Sequence, residues 1–215
     1  MTGRLTLTFD NGPTPGVTEG VLDALRERDL PATFFVVGSW LDSPGIRELA
    51  ERVHAEGHWL GNHTYTHGVP LGRRGDRAVE VGEIALTQES LGDLAHPDKF
   101  FRPNGAGSVG HHLLSQDAAD YLAENGFTVV MWDLYVRDPH EPDLWADRAL
   151  ARLDEREWNV LVTHDVPTGA MDHLPRFLDT VLDAGIEIVQ ELPEHATPLL
   201  RGQPTAALND IVTTA

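Results

Sequence analysis

The chain has 215 residues, of which 41% are hydrophobic, and this is enough for one compact domain with a sizeable core. Acidic residues outnumber basic ones by 34 to 16, so the formal net charge is −18, which argues against nucleic acid and anionic membranes as partners. Cysteine is absent, which excludes disulfides and thiolate metal sites. No apolar stretch approaches the ~20 residues that a membrane-spanning helix needs.

The first elements along the chain form a β-α-β pattern. Residues 5–9 alternate apolar side chains with Thr, and the turn residues 10–13 follow directly, so the sequence predicts a strand that ends in a turn. Apolar residues at helical spacing in the segment 21–25 predict a helix, and residues 33–37 form a β-branched and aromatic run of buried-strand length. Polar residues of the turn therefore lie at the carboxyl end of the first strand.

The second helix has the clearest boundaries in the sequence. Ser43 suits the N-cap, Pro44 the first helical position, and Gly57 the position just past the end. Further helices are predicted over residues 76–94, 112–125, 143–156 and 174–184, and further strands over residues 58–60, 99–101, 127–132, 160–163 and 186–189.

Strands and helices alternate along the whole pattern, which predicts a parallel sheet with right-handed crossovers, either closed into a barrel or open. Both architectures place active sites outside the carboxyl ends of the strands. Proline and glycine interrupt every pattern from residue 193 onward, so we expect residues 193–215 to form an extended or disordered tail. Residues 1–192 are then predicted to form one domain, with any active site at its strand ends.

Two histidines, His63 and His67, follow a strand end rich in small polar residues. On one helical turn this spacing points both imidazoles the same way, toward a shared ion. His54 and His58 have the same spacing, so the spacing alone does not separate metal ligands from packing histidines. His54 lies on an amphipathic helix and is interpreted as structural, whereas the setting of His63 and His67 favours metal binding.

Four segments then stand out together: TFDNGP at residues 8–13, NHTYTH at 62–67, FRP at 101–103 and VTHD at 162–165. In order and spacing they resemble the motifs of the polysaccharide deacetylases, carbohydrate esterase family 4 with its NodB homology domain. The resemblance covers roughly residues 5–192. It implies a distorted (β/α)7 barrel and a metal-dependent hydrolase that removes N-acetyl or O-acetyl groups from a carbohydrate.

The first two motifs supply the base and the metal ligands. The family's first motif reads TFDDGP, in which the first Asp is the catalytic base and the second binds the metal, so the resemblance makes Asp10 the base. His63 and His67 become metal ligands, and Asn11 stands in the place of the third ligand. An amide oxygen is a weaker ligand than a carboxylate, so the site would lose charge and some affinity. Zinc is the expected metal, with cobalt, nickel and manganese as alternatives.

The third and fifth motifs supply the remaining catalytic groups. Arg102 corresponds to the Arg that positions the base, with a structural ion pair as the alternative, and His164 corresponds to the catalytic acid. The backbone N–H of Gly105 stands where the family helps to bind the oxyanion, although the aromatic residue that walls the sugar cleft is missing there. Val162 matches the aliphatic residue that lines the acetyl pocket.

The fourth motif is altered. Asp138 aligns with its second acid, where it could hold Arg102, while Tyr135 replaces the first acid and Pro139 replaces a Trp. Trp132 precedes the motif and is interpreted as a core residue or a wall of the cleft. We therefore predict Gly105, Trp132, Asp138 and Val162 as the substrate-binding set.

The expected substrate is an acetylated sugar or another small amide, and the oligomeric state is not determined. The altered motifs leave two alternatives open: a non-catalytic carbohydrate-binding pseudoenzyme, and a cyclic-amide hydrolase of the allantoinase type on the same fold. The N-terminus has no basic segment followed by a long apolar run, which predicts a cytoplasmic protein. A chain from which a leader had been removed would look the same and would be secreted.

Overall fold

A computed structural model describes residues 3–105 and 107–213, and their contacts divide the chain into two compact units. None of the helices in these residues is both long and apolar enough to span a membrane. The first unit comprises Met1–Phe34, Pro44–Trp59 and Trp132–Pro193, and the second comprises Phe35–Ser43, Leu60–Met131 and Glu194–Ala215.

The first unit is built around strand β1, Arg4–Asp10. Strand β7, Trp158–His164, pairs with it in parallel from end to end, and β8, Glu187–Val189, pairs in parallel with its first residues. Strand β6, Leu134–Tyr135, pairs in parallel with β7. The residues of β1 after Arg4 are buried on both faces, as in a parallel sheet covered by helices.

The helices of the first unit are α1 Thr18–Arg26, α2 Pro44–Ala55, α5 Trp145–Leu150 and α6 Leu174–Asp183. Helix α2 begins at the predicted proline, and Gly57 beyond its end has a φ of 90° that suits glycine. Helix α5 is shorter than the predicted 143–156. The side chain of Asn159 donates to the carbonyls of Leu153 and Arg156, so these carbonyls are satisfied without a further helical turn.

The second unit contains three parallel strands, β3 Trp59–Asn62, β4 Phe100–Phe101 and β5 Thr128–Val129, of which β3 starts in the first unit. Strand β2, Thr33–Val36, likewise contributes residues to both units. The helices of the second unit are α3 Arg77–Leu91 and α4 Gln116–Glu124.

Side-chain caps set where both helices of the second unit begin. The Asp76 carboxylate accepts from the N–H groups of Ala78 and Val79 at the start of α3. Helix α4 was predicted to begin at residue 112, but Ser115 accepts from the N–H of Ala118 and caps the helix there. The apolar residues before Ser115 therefore belong to the preceding loop.

The structure differs from the extended or disordered tail predicted for residues 193–215. Strand β9, Leu199–Leu200, pairs antiparallel with β5, and β10, Gln203–Pro204, pairs antiparallel with β9. Leu199 and Ile211 are buried. Proline and glycine do exclude a long helix here, but they permit short strands joined by a turn, and the apolar residues between them are enough to anchor the segment. Residues 214 and 215 lie outside the described residues.

Candidate active site

The predicted acid and base lie in the first unit, at the carboxyl ends of β1 and β7. The two strands run parallel, and the last pair in their register is Asp10 opposite His164. Asp10 is buried, with 4% of its surface exposed. The strand pairing therefore places a carboxylate and an imidazole side by side where a parallel sheet presents its functional groups.

The partner of His164 is Asp138, a fully buried carboxylate. Asp138 Oδ2 accepts from the backbone N–H of His164 at 2.7 Å, and its Oδ1 lies 3.0 Å from His164 Nδ1. This contact favours a proton on Nδ1 and leaves Nε2 for chemistry. Asp138 was predicted to bind substrate; the structure places its carboxylate against His164, and a contact with substrate stays a prediction.

Electrostatics favour the protonated form of His164. Burial by itself lowers the pKa of the imidazole, but the hydrogen bond and charge of Asp138, with smaller effects from Asp10 and Asp165, outweigh it. The pKa of His164 therefore lies above its ordinary value. A histidine in this state can donate a proton near neutral pH.

A third buried acid, Asp165, was not predicted as part of the site. It follows His164 directly, accepts a hydrogen bond from the Thr18 hydroxyl, and lies so close to Gly12 that any side chain at Gly12 would overlap the carboxylate. Burial raises the pKa of Asp165 to about 7, and the bond from Thr18 offsets this only in part. Its sequence signal was an acidic residue placed directly after a buried strand.

Asn11, the predicted third metal ligand, occupies the left-handed region of the backbone with a φ of 71°. Asparagine tolerates this conformation better than most residues do. Its Oδ1 atom is buried and has no hydrogen-bond partner among the described residues. An orphaned buried oxygen is costly unless a donor or a cation satisfies it, so the environment of Asn11 is compatible with a metal ligand.

His63 and His67 lie in the second unit, on the loop that follows β3. The centroids of their rings are 4.8 Å apart, with an interplanar angle of 50°. The helical turn that the sequence suggested is absent from this loop. Positive φ angles at Thr64 (65°) and His67 (51°) fold the chain back and bring the two rings together.

The contacts of His63 also suit a metal ligand. Its Nδ1 lies 2.8 Å from the carbonyl oxygen of Arg102, which favours a proton on Nδ1 and makes Nε2 the nitrogen that carries the lone pair for a metal. Within the described ranges, no group of three or more His, Cys, Asp or Glu side chains could hold a metal. The second unit therefore supplies two imidazole donors, and the assignment of Asn11 as a further ligand stays a prediction.

Arg102 is fully buried in the second unit. Its Nε donates to the carbonyl of Val130 at 3.1 Å, its Nη2 donates to the carbonyl of Met131 at 3.3 Å, and its guanidinium lies 4.1 Å from the centroid of the Phe35 ring. These contacts fix the orientation of the side chain. Its predicted action on Asp10 stays a prediction.

The remaining predicted residues divide between the two units. Gly105 is buried in the second unit, with His112 Nε2 3.3 Å from its carbonyl oxygen. Val162 is buried in β7, where it pairs with Tyr135 of β6, and Trp132 is half-buried at the start of the last segment of the first unit. The Tyr135 ring meets the His164 imidazole edge-on, with 6.4 Å between the centroids.

Comparison with known proteins tests the resemblance directly. The family model for polysaccharide deacetylases matches residues 2–130, which is more than half of the chain. The chain belongs to the polysaccharide deacetylase family. A chitooligosaccharide deacetylase of Sinorhizobium fredii is 36% identical over 162 residues, which cover 74% of this chain and 70% of that protein.

Solved structures agree with this family membership. A family 4 carbohydrate esterase from Streptomyces lividans, in complex with acetate, is 26% identical and superposes with a TM-score of 0.74 over 99% of this chain and 98% of its own. A family 4 acetyl xylan esterase from Clostridium thermocellum, in complex with a cobalt ion, is also 26% identical, with a TM-score of 0.70 over 86% of each chain.

These similarities confirm the predicted family, the (β/α) barrel fold class of the polysaccharide deacetylases and the deacetylase class of enzyme. The region matched by the family model ends before Asp138 and His164. The roles of these two residues in a polysaccharide deacetylase therefore depend on the geometry at the ends of β1 and β7 and on the VTHD segment.

Proposed function

We propose that this chain is a metal-dependent deacetylase that hydrolyses the N-acetyl groups of N-acetylglucosamine oligomers. The observation that carries the proposal is the pairing of Asp10 with His164 at the ends of two parallel strands, with His164 held by the buried Asp138. This arrangement provides a proton acceptor and a proton donor in adjacent positions.

Asp10 serves as the general base and His164 as the general acid. Asp10 takes a proton from the attacking water, and His164 gives a proton to the departing nitrogen. An amine must be protonated to leave, so cleavage of an amide depends strongly on an acid that is charged near neutral pH. The raised pKa of His164 meets this requirement, which favours an N-acetyl over an O-acetyl substrate.

His63 and His67 would hold a divalent metal. The adjacent rings and the contact of His63 Nδ1 with the Arg102 carbonyl support this assignment. When bound, such a metal lowers the pKa of a coordinated water and polarises a carbonyl. Zinc is the proposed metal, and the cobalt ion of the Clostridium thermocellum esterase supports a first-row divalent ion.

The substrate class is proposed from a relative that matches this chain over most of both lengths. That protein is named a chitooligosaccharide deacetylase, and N-acetylglucosamine oligomers are the substrates that this name describes. Gly105 replaces the family's aromatic residue, so the sugar would meet a less enclosed wall than in relatives that retain it.

Acetate release from N-acetylglucosamine oligomers tests the proposal. The protein is assayed with added zinc, with added cobalt and with a chelator, and Asp10→Asn and His164→Asn serve as matched near-isosteric variants. We expect metal-dependent release in the native protein and a loss of about 100-fold or more in each variant.

The outcomes separate the alternatives. Binding of the oligomers without acetate release under any metal condition would identify a carbohydrate-binding pseudoenzyme. Opening of a cyclic amide such as allantoin without acetate release would identify a cyclic-amide hydrolase. Native rates in both variants would show that Asp10 and His164 are not the base and acid.

A further inference from the structure

A buried carboxylate on helix α3 binds the loop that carries His63 and His67. Glu83 is buried, and its Oε2 accepts from the backbone N–H groups of Tyr65 at 3.0 Å and Thr66 at 2.8 Å. Its Oε1 accepts from the Thr66 hydroxyl at 2.7 Å and from Arg74 Nη2 at 3.1 Å. Four donors thus converge on Glu83, and three of them belong to Tyr65 and Thr66, which lie between the two histidines in sequence.

This loop needs an external acceptor. It is neither helix nor strand, and its residues Thr64 and His67 have positive φ angles that most side chains avoid. Such conformations persist when surrounding contacts over-determine them. Bonds from N–H groups to an ionised carboxylate are roughly twice as strong as bonds between neutral groups, so Glu83 is suited to this task.

Asn104 also binds this loop. Its Nδ2 donates to the carbonyl of His67 at 3.3 Å and also to that of Gly68. Arg74 extends the clamp, because its Nε donates to the carbonyl of Val69 at 3.0 Å while its Nη2 contacts Glu83. The N–H groups of the two residues before His67 are therefore bonded to Glu83. The carbonyls of His67 and of the two residues after it are bonded to Asn104 and Arg74.

We propose that Glu83 is the positioning residue for the His63–His67 pair, and that it sets the distance between the two imidazoles and so their affinity for a divalent metal. The inference rests on the proposed function for the identity of the ligand but on the loop geometry alone for the action of Glu83. Residues that orient metal ligands from behind typically change affinity 10–100-fold when altered.

Helix α3 offers a matched control. Glu80 lies one turn before Glu83 on the same helix and is equally buried. Its hydrogen bonds go to the backbone N–H of Gly75 and to the Ser115 hydroxyl, away from the histidine loop. Glu83→Gln and Glu80→Gln therefore remove the same charge from the same helix, but only the first removes an anchor of the loop.

The experiment measures cobalt affinity by visible absorption in the native protein, Glu83→Gln and Glu80→Gln, alongside urea unfolding of each. We expect cobalt binding to be roughly 10–100-fold weaker in Glu83→Gln and less than about 3-fold weaker in Glu80→Gln. The two variants should lose similar amounts of free energy of unfolding. Thr66→Val, which removes one of the four bonds and keeps the carboxylate, provides a milder variant with an expected loss of about 3-fold. Equal affinities in all four proteins would overturn the proposal.

A second readout needs no metal. Long-range imidazole NMR spectra of the metal-free protein should show shifted or broadened His63 and His67 resonances in Glu83→Gln and in Thr66→Val, and unchanged ones in Glu80→Gln. Unchanged histidine resonances in Glu83→Gln would overturn the positioning role. If the histidine resonances shift in Glu83→Gln but the native protein binds no metal, the positioning role of Glu83 stands and the proposed metal-dependent function is refuted.

Discussion

The two groups of site residues are built in different ways. In the first unit Asp10 and His164 are the last residues of two paired strands, so the backbone register places them opposite each other. In the second unit His63 and His67 lie on an irregular loop, and side chains such as Glu83 hold it in shape. The groups proposed for proton transfer are thus positioned by the sheet, while the groups proposed for the metal are positioned by contacts that a single substitution can remove.

The two groups also differ in charge. The first unit surrounds one imidazole with the carboxyl groups of Asp10, Asp138 and Asp165. In the second unit the neighbour of His63 is a neutral carbonyl, that of Arg102. Substitutions in the first unit should therefore alter the pH dependence of activity and stability, and substitutions in the second should alter metal affinity.

The largest expected effect tests the first unit. His164→Ala should lower kcat about 100- to 10,000-fold, because the leaving nitrogen loses its acid. Asp138→Asn should move the basic limb of the pH–rate profile to lower pH, because the carboxylate that raises the pKa of His164 is neutralised. The measurement is kcat against pH on N-acetylglucosamine oligomers, with cobalt affinity as the control that both variants should leave nearly unchanged. A basic limb at the native position in Asp138→Asn would contradict the assigned acid.

The second expected effect concerns stability. The pKa of Asp165 is raised by burial to about 7, above the value of a free carboxyl, so the folded state holds a proton that the unfolded state loses. The stability from this group is complete at low pH and is lost as pH rises toward and through 7. Asp165→Asn lacks this loss, so its free energy of unfolding relative to the native protein should rise by roughly 1–4 kcal/mol between pH 4 and pH 8.

Urea unfolding at several pH values measures this difference. His164 and Asp10 interact with Asp165 and are present in both proteins. Asp165→Asn mimics the neutral acid, so their own titration largely cancels in the comparison wherever Asp165 of the native chain is protonated. A parallel pH dependence in the two proteins would show that Asp165 is ionised in the fold throughout this range.

The smallest expected effect tests the predicted role of Asn11. This residue stands in the place of the family's charged ligand, and its Oδ1 has no hydrogen-bond partner among the described residues. Asn11→Asp restores a charged ligand and should tighten zinc binding roughly tenfold, since a carboxylate adds on the order of 1–2 kcal/mol of attraction. Competition with a chelator measures the change. Unchanged affinity in both Asn11→Asp and Asn11→Ala would remove this residue from the metal site.

Some elements could be predicted because local signals agreed with the fold. Helix α2 begins at Pro44 as predicted, since a proline can only occupy the first turn without breaking the helix. The start of α4 was predicted too early because the apolar residues before Ser115 continue the helical spacing, whereas the Ser115 side chain caps the helix. The folded segment after residue 193 was missed because strands as short as Leu199–Leu200 have no periodicity of their own and form only by pairing with β5.

The amino-acid sequence by itself determined the family and the residue types available for chemistry, because Asp10, His63, His67 and His164 stand in motifs whose order and spacing are specific. Only the tertiary structure decided which groups support them. Two supporting carboxylates are distant in sequence from the groups they hold: Asp138, which binds His164, and Glu83, which binds the histidine loop. Asp165 likewise lies against Gly12, a residue far from it in sequence. Such contacts depend on strand register and on the docking of a helix, which no local pattern encodes.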